Sequence, residues 1–269
     1  MKIISLGLGV QSTALYFMSS MELIEKADYA IFADPGAESN ETYEYLKFLL
    51  EWERNNNGIK ILVESNKNIY EDILNDFKNG KKFVTIPAHS VNENGKKSIL
   101  RRQCTGDYKI KQVYKSIRNI YGLRPYQRYP STEIWLGITL DEAQRAKDSR
   151  EKWATNVYPF LNLPTDFFPN PWSRGDCINF YKQHELPIPP KSSCVFCPYQ
   201  SPMRWAKVME NPIEREKVIN IDRAIRNMSM KGESAPIYLT RHCMPIDQIT
   251  FENSSQDEFG NECEGHCGL

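Results

Sequence analysis

The chain has 269 residues, enough for one full domain and a smaller appendage. Hydrophobic residues make up 41% and charged residues 25%, an ordinary globular balance, and Lys+Arg equal Asp+Glu at 34 each, so no global charge draws it to a polyanion. No run approaches the roughly 18 apolar residues of a membrane span, and the apolar start MKIISLGLGVQSTAL carries glycines rather than a leader's long apolar core, so a cytoplasmic, non-membrane protein is expected.

In chain order, residues 2–6 read as a buried strand and 11–21 as a helix entered through a glycine turn. Tyr29–Ala33 is a second strand, and 41–54 a helix with Tyr43, Leu46, Leu49 and Leu50 on one face. A third strand at 59–63 and a third helix at 69–77 complete a βαβαβ rhythm. That rhythm predicts an α/β fold, a doubly wound parallel sheet with helices on both faces. Residues 79–98 are polar and basic, with Gly80, Pro87 and Gly95, and read as a loop. A helix follows at 105–121 and a fourth strand at 133–138. Residues 158–190 are rich in proline and aromatics and suit an irregular, substrate-facing wall. Segments 203–209 and 213–228 look helical, and 237–240 a short strand. A boundary near 155 divides a nucleotide-binding α/β domain, 1–155, from a mostly helical, cysteine-bearing region, 156–269, with a flexible tail.

The first turn reads Ser5-Leu-Gly7-Leu-Gly9-Val-Gln11-Ser12-Thr13. A glycine turn between strand and helix aims backbone N–H groups and the positive helix end at one point, which suits phosphates. Gly7 and Gly9 allow close approach, and Ser5, Ser12 and Thr13 add hydroxyl donors. The plain alternative is a tight βα turn that binds nothing. At the carboxyl end of the second strand stand Asp34, Gly36 and Glu38, where open α/β sheets take their ligands. An acidic residue there accepts from a ribose hydroxyl or an adenine amine; otherwise Asp34-Pro-Gly36 is only a turn.

Seven cysteines fall at 104, 177, 194, 197, 243, 263 and 267. In a reducing compartment clustered cysteines serve metals or redox chemistry more often than structural disulfides. Cys194-Val-Phe-Cys197-Pro sets two thiols at metal-ligand spacing, with a redox dithiol as the alternative. Cys177 precedes it by 17 residues, and Cys104 sits among Arg101, Arg102, Lys109 and Lys111, cations that favour a thiolate. Near the end, Cys263 and Cys267 flank His266. Lys81, Lys82, Lys96, Lys97, Arg101 and Arg102 form a local basic run, a surface for nucleic acid or simply a solvated loop. His89 and His184 show no partner spacing.

Five ordered segments between residues 2 and 200 resemble the PP-loop ATP pyrophosphatases and the PAPS reductase-like proteins (adenine nucleotide alpha-hydrolase-like). They are the glycine turn, Asp34–Thr42, Arg102-Gln-Cys104-Thr105-x-x-Tyr108-Lys109-Ile110, Gly137 with Glu142 and Arg145, and Tyr158-Pro-Phe-Leu161. Gln11 stands where the family usually has Asp, which favours nucleotide binding over turnover at that turn. The third segment is closest to the branch containing the DNA phosphorothioation sulfurtransferase. That branch implies a [4Fe–4S] cluster on Cys104, Cys177, Cys194 and Cys197, with zinc as the alternative. The resemblance also implies ATP, or PAPS, bound by the glycine turn, Asp34, Gly36, Glu38, Gly137, Glu142 and Arg145. Mg²⁺ would accompany the nucleotide, and Arg102 and Lys109 would serve catalysis. The expected activity is ATP-dependent adenylation followed by sulfur or group transfer, with nucleic acid and a sulfur-donor protein as partners. Two alternatives stand beside it: a sulfonucleotide reductase using a tail cysteine such as Cys267, and a non-catalytic nucleotide-binding subunit of a DNA-modification or phage-defence system.

Overall fold

The computed structural model describes residues 1–81, 84–92, 94–162, 170–226, 228 and 235–251. The chain runs through β1 (Lys2–Ser5), α1 (Val10–Ser20), β2 (Tyr29–Ala33), α2 (Asn40–Asn55), β3 (Ile61–Glu64) and α3 (Ile69–Lys78). A hairpin of β4 (His89–Val91) and β5 (Lys97–Ile99) follows. Next come a π-helical turn, Thr105–Ile110, and α4 (Lys111–Ile120), then β6 (Thr132–Trp135) and β7 (Ala154–Val157). α5 (Pro159–Asn162), α6 (Arg174–Gln183), α7 (Pro202–Glu210), α8 (Pro212–Ile225) and β8 (Ile237–Tyr238) complete the described elements.

Five strands form one parallel sheet in the order β3-β2-β1-β6-β7. The order reverses between β1 and β6, which opens a crevice at their carboxyl ends. Strand alternation feeds a core on each face. Ile4, Ala30, Phe32 and Trp135 point into one core with α1 and α2. Ile3, Ile31, Ala33 and Ile134 point into the other, with Val113 and Ile117 of α4. A third core joins Ile69 and Ile73 of α3, Val84 and Ile86, Val195 and Phe196, and the apolar faces of α7 and α8.

Three expectations need correcting. The stretch 79–98 contains β4 and β5, which pair with β8 in an antiparallel sheet. The hairpin closes on Asn92, whose Oδ1 accepts from Asn94 N and Lys96 N, while Ser90 and Ser98 hydroxyls pair at 2.7 Å. Its polar composition hid the strands. Residues 158–190 contain α6, which is fixed by a capping box: Ser173 accepts from Asp176 N, and Asp176 accepts from Ser173 N. α6 buries Cys177, Phe180 and Tyr181, and the Tyr181 hydroxyl donates to the Val10 carbonyl at 2.8 Å. The boundary near 155 falls inside β7, and α6 belongs to the sheet's own core. Among the described residues no helix is long and apolar enough to cross a membrane.

Candidate nucleotide edge and cysteine pocket

The β1–α1 turn lies at the crevice, but it is tighter than the glycines suggest. The left-handed residue is Leu8, at φ 59°, and its side chain is fully buried. Gly9 is the N-cap, with an extended backbone and no side-chain cap, and the first turn of α1 carries no acidic residue. Gly7 N donates to Ser12 Oγ at 3.1 Å. Only Ser5 and Gly7 of residues 5–13 stay partly exposed apart from the buried remainder. Gln11, Ser12 and Thr13 therefore sit inside rather than on an open cradle. The reason is Gly137, just beyond β6. A Cβ there would stand 2.6 Å from Ser12 N, 2.7 Å from Ser12 Cα and 2.8 Å from Gln11 C. The β6 end rests on the backbone of the first turn of α1. Thr13 Oγ1 is left buried without a hydrogen-bond partner.

Beyond β2 the acidic residues hold a loop. Asp34 Oδ1 accepts from Gly36 N at 2.8 Å and from the Tyr43 hydroxyl at 2.9 Å, and Gly36 takes φ 74°. Glu38 N donates to the same Tyr43 oxygen at 3.3 Å. The Glu38 carboxylate is fully buried, 3.3 Å from Lys109 Nζ, and accepts from Ser192 Oγ at 3.2 Å. Its backbone bridges Cys194, and Val195 N donates to the Ala37 carbonyl at 2.9 Å. Glu38 thus straps the β2 edge to the C-x-x-C loop, a different task from gripping a nucleotide. Glu41, at the start of α2, pairs with Arg204 and Lys207 of α7. On the far side of the crevice Glu142 and Arg145 pair with each other at 2.6 Å. Asp141 accepts from Arg174 N and so fastens α6 to this edge.

The strap leads to a small, partly open pocket. Cys104, Cys194 and Cys197 all line it, together with Pro35, Arg102, Thr105 and Lys109. Cys104 opens the π-helical turn Thr105–Ile110, an uncommon geometry that recurs at functional sites. The same turn carries Tyr108, whose hydroxyl donates to Asp72 Oδ2 at 2.7 Å. Arg102 lies over the Tyr199 ring, 4.2 Å from its centroid. The Thr105 hydroxyl is buried with no hydrogen-bond partner. Burial pushes the Cys194 thiol well above its ordinary range; Glu38 adds to the shift and Lys109 opposes it. Arg102 and Lys109 belong to this pocket and not to the glycine turn.

Cys177 is absent from this wall. It is a buried member of the core between α6 and α1, whereas Cys104 and Cys194 pack against the third core. The helical spacing of Cys177, Phe180 and Tyr181 shows the reason: one face of α6 turns all three inward. Among the described residues no three Cys, His, Asp or Glu side chains stand in ligating arrangement. The pocket's donor set suits a thiophilic ion or cluster in chemistry, and is one thiol short of four. Cys243 sits beyond β8, outside the pocket wall, and burial raises its thiol. Cys263, His266, Cys267 and Lys82 lie outside the described residues.

Sequence reading missed Ser192 and His89. Nothing in its neighbours marks Ser192. His89, on β4, has the Pro198 backbone, next to Cys197, among the groups that act on its pKa. Burial is the largest cause lowering its pKa; Arg241 and Lys97 lower it further, against the Pro198 backbone's smaller raising effect. The folded value is below the unfolded value of about 6.5, so protons favour the unfolded chain as pH falls. Stability from neutral His89 is complete above about pH 6.5 and declines as pH drops through that value toward the folded one. The urea midpoint is expected to fall between pH 7.5 and pH 5.5, and His89→Gln to flatten that part of the slope. An identical slope in the variant contradicts the assignment.

No protein-family model, no curated protein and no solved structure matches this chain.

Proposed function

We propose that the chain is an ATP-dependent adenylating enzyme of the PP-loop kind, one that transfers sulfur or another group from a cysteine-lined pocket. One observation carries the reading: the three-cysteine pocket is lined by Pro35, just past the carboxyl end of β2, the strand that pairs with β1 in the sheet. The Glu38–Cys194 bridge joins the segment after β2 to the C-x-x-C loop. In this reading the phosphates approach Ser5 and the Gly7 amide, and the adenosine lies toward Asp34 and Gly36. An acceptor oxygen attacks the α-phosphorus, the bond to the bridging oxygen breaks, and pyrophosphate leaves. A sulfur nucleophile then forms its bond to the acceptor, and AMP departs with the oxygen. Arg102 and Lys109 offset negative charge at the pocket. A bound [4Fe–4S] cluster or zinc ion would be held by Cys104, Cys194 and Cys197 and would supply a soft, sulfur-binding centre. Lys96, Lys97, Arg101 and Arg102 favour a polyanionic acceptor such as nucleic acid.

A second reading is a nucleotide-binding subunit without turnover. Gln11 favours it: the residue is fully buried and brings no carboxylate to the turn. A sulfonucleotide reductase would place its nucleophile on the tail, at Cys267. Amide hydrogen exchange with a non-hydrolysable ATP analogue tests the site common to the first two. Protection is expected at residues 5–9, 34–38 and 136–145. Protection confined to other segments, or none, contradicts the nucleotide edge.

A further inference from the structure

Cys194 and Cys197 are the two ends of one β-turn: Cys197 N donates to the Cys194 carbonyl at 2.9 Å. A turn closed in this way holds its end Cα atoms within about 7 Å, and a disulfide spans about 4.4–6.8 Å between Cα atoms. The backbone therefore brings the two residues to bonding range, and no helix or strand has to move to join their sulfurs. Both cysteines line the pocket, and both are partly exposed, so a small reagent can reach them.

The turn is anchored independently of its sulfurs. Its middle residues, Val195 and Phe196, are buried in the third core. Val195 N donates to the Ala37 carbonyl at 2.9 Å, and Gln200 Nε2 donates to the carbonyls of Cys194 and Val195. These contacts hold the turn in place whether or not the sulfurs are joined. A disulfide that closes over only two intervening residues constrains little of the unfolded chain, so it adds little stability. Weakly stabilised, partly exposed disulfides are the ones that small thiols reduce readily. The other described cysteines stand apart from this turn. Cys104 is on the π-helical turn, Cys177 is in the core between α6 and α1, and Cys243 lies outside the pocket wall.

We propose that Cys194 and Cys197 form a reversible dithiol–disulfide couple, a redox site that exchanges with low-molecular-weight disulfides such as glutathione disulfide. One of the two cysteines attacks as thiolate on a sulfur of the small disulfide; that S–S bond breaks and one small thiolate leaves. The second cysteine loses its proton to solvent and attacks the sulfur of the first. The protein S–S bond forms, and the second small thiolate leaves. Two protein thiols are oxidised, and one small disulfide is reduced to two thiols. The couple is independent of the nucleotide reading and needs no ATP. It uses two of the sulfurs assigned above to a soft ion, so oxidation and metal binding exclude one another at this turn.

The test equilibrates the metal-free full-length chain with glutathione buffers of graded disulfide-to-thiol ratio, alkylates the remaining thiols and maps tryptic peptides by mass. One such peptide, 192–204, carries both cysteines of the turn, and Cys104 falls in another, 103–109. Peptide 192–204 is expected to lose both alkyl groups together, to appear two hydrogens lighter than its reduced form, and to regain both groups after dithiothreitol. Peptide 103–109 is expected to stay alkylated. In Cys104→Ser the internal link is expected at the wild-type buffer ratio to within about twofold. A shift of about tenfold or more would make Cys104 a member of the couple and overturn the assignment. Alkylation of both turn cysteines at every ratio overturns it too, as does a disulfide from either of them to Cys104 or to any other peptide. These outcomes leave the nucleotide edge standing, which the hydrogen-exchange experiment tests by itself.

Discussion

Replacing Gly137 by alanine is expected to destabilise the fold and abolish nucleotide binding together. The added methyl would meet Ser12 N, Ser12 Cα and Gln11 C, all between 2.6 and 2.8 Å away. All three are backbone atoms at the start of α1, so no side chain can swing aside. Overpacking of this kind costs about 1–3 kcal/mol, and the rigid neighbours place this site at the upper end. The shift that relieves the clash displaces the β1–α1 turn from the β6 end, which is the crevice proposed for phosphate. Urea unfolding and titration with an ATP analogue should therefore fail in step. Gly106→Ala is the control. Its new methyl meets nothing within 4 Å, and the position is helical, so stability is expected to hold or rise by up to about 1 kcal/mol. Equal losses in the two variants would show that the close approach at Gly137 does not matter.

Glu38→Ala is expected to cost about 3–5 kcal/mol. The carboxylate is fully buried, and Lys109 beside it is 12% exposed. Removing the negative partner leaves an ammonium charge in a place that water scarcely reaches. It also removes the acceptor of Ser192 and loosens the segment bridged to Cys194. Glu38→Gln preserves shape and isolates the charge. Lys109→Met combined with Glu38→Gln is expected to be more stable than the sum of the single losses, by at least 1 kcal/mol in a double-mutant cycle. Single costs below 1 kcal/mol would mean that the pair is not what joins the β2 edge to the cysteine loop.

Much of the sheet was legible because buried parallel strands read as short apolar runs. Ile3 and Ile4, or Ile31 and Phe32, announce a strand covered on both faces, and the helices between them carry clear stripes. The hairpin at β4 and β5 escaped because every residue of β5 is exposed and the strands are only three residues long, with serine facing serine at the middle pair. α6 escaped because prolines and aromatics surround it, although its Ser173–Asp176 capping box stood in the sequence. At the site, spacing pointed to Cys194 and Cys197, the family resemblance added Cys104, and the pocket brings these three to one wall. Cys177, which the resemblance set with them, lies on the buried face of α6, and spacing along a chain says nothing about which helix face points where. Glu38 was read as a nucleotide ligand because its segment resembles the family's acidic stretch after the second strand. Its partners Lys109 and Ser192 are 71 and 154 residues away, and no local pattern reveals them.

The most direct test of the central claim is product analysis with ATP labelled at the α-phosphate. The anaerobically purified full-length chain is incubated with it, alone and with mixed DNA and RNA. The account predicts labelled AMP with an equal amount of pyrophosphate, increased by the acceptor nucleic acid and lost in Gly137→Ala. ATP bound but recovered unchanged under every condition would contradict adenylation and leave a binding subunit. Absence of ATP binding would contradict the nucleotide edge itself.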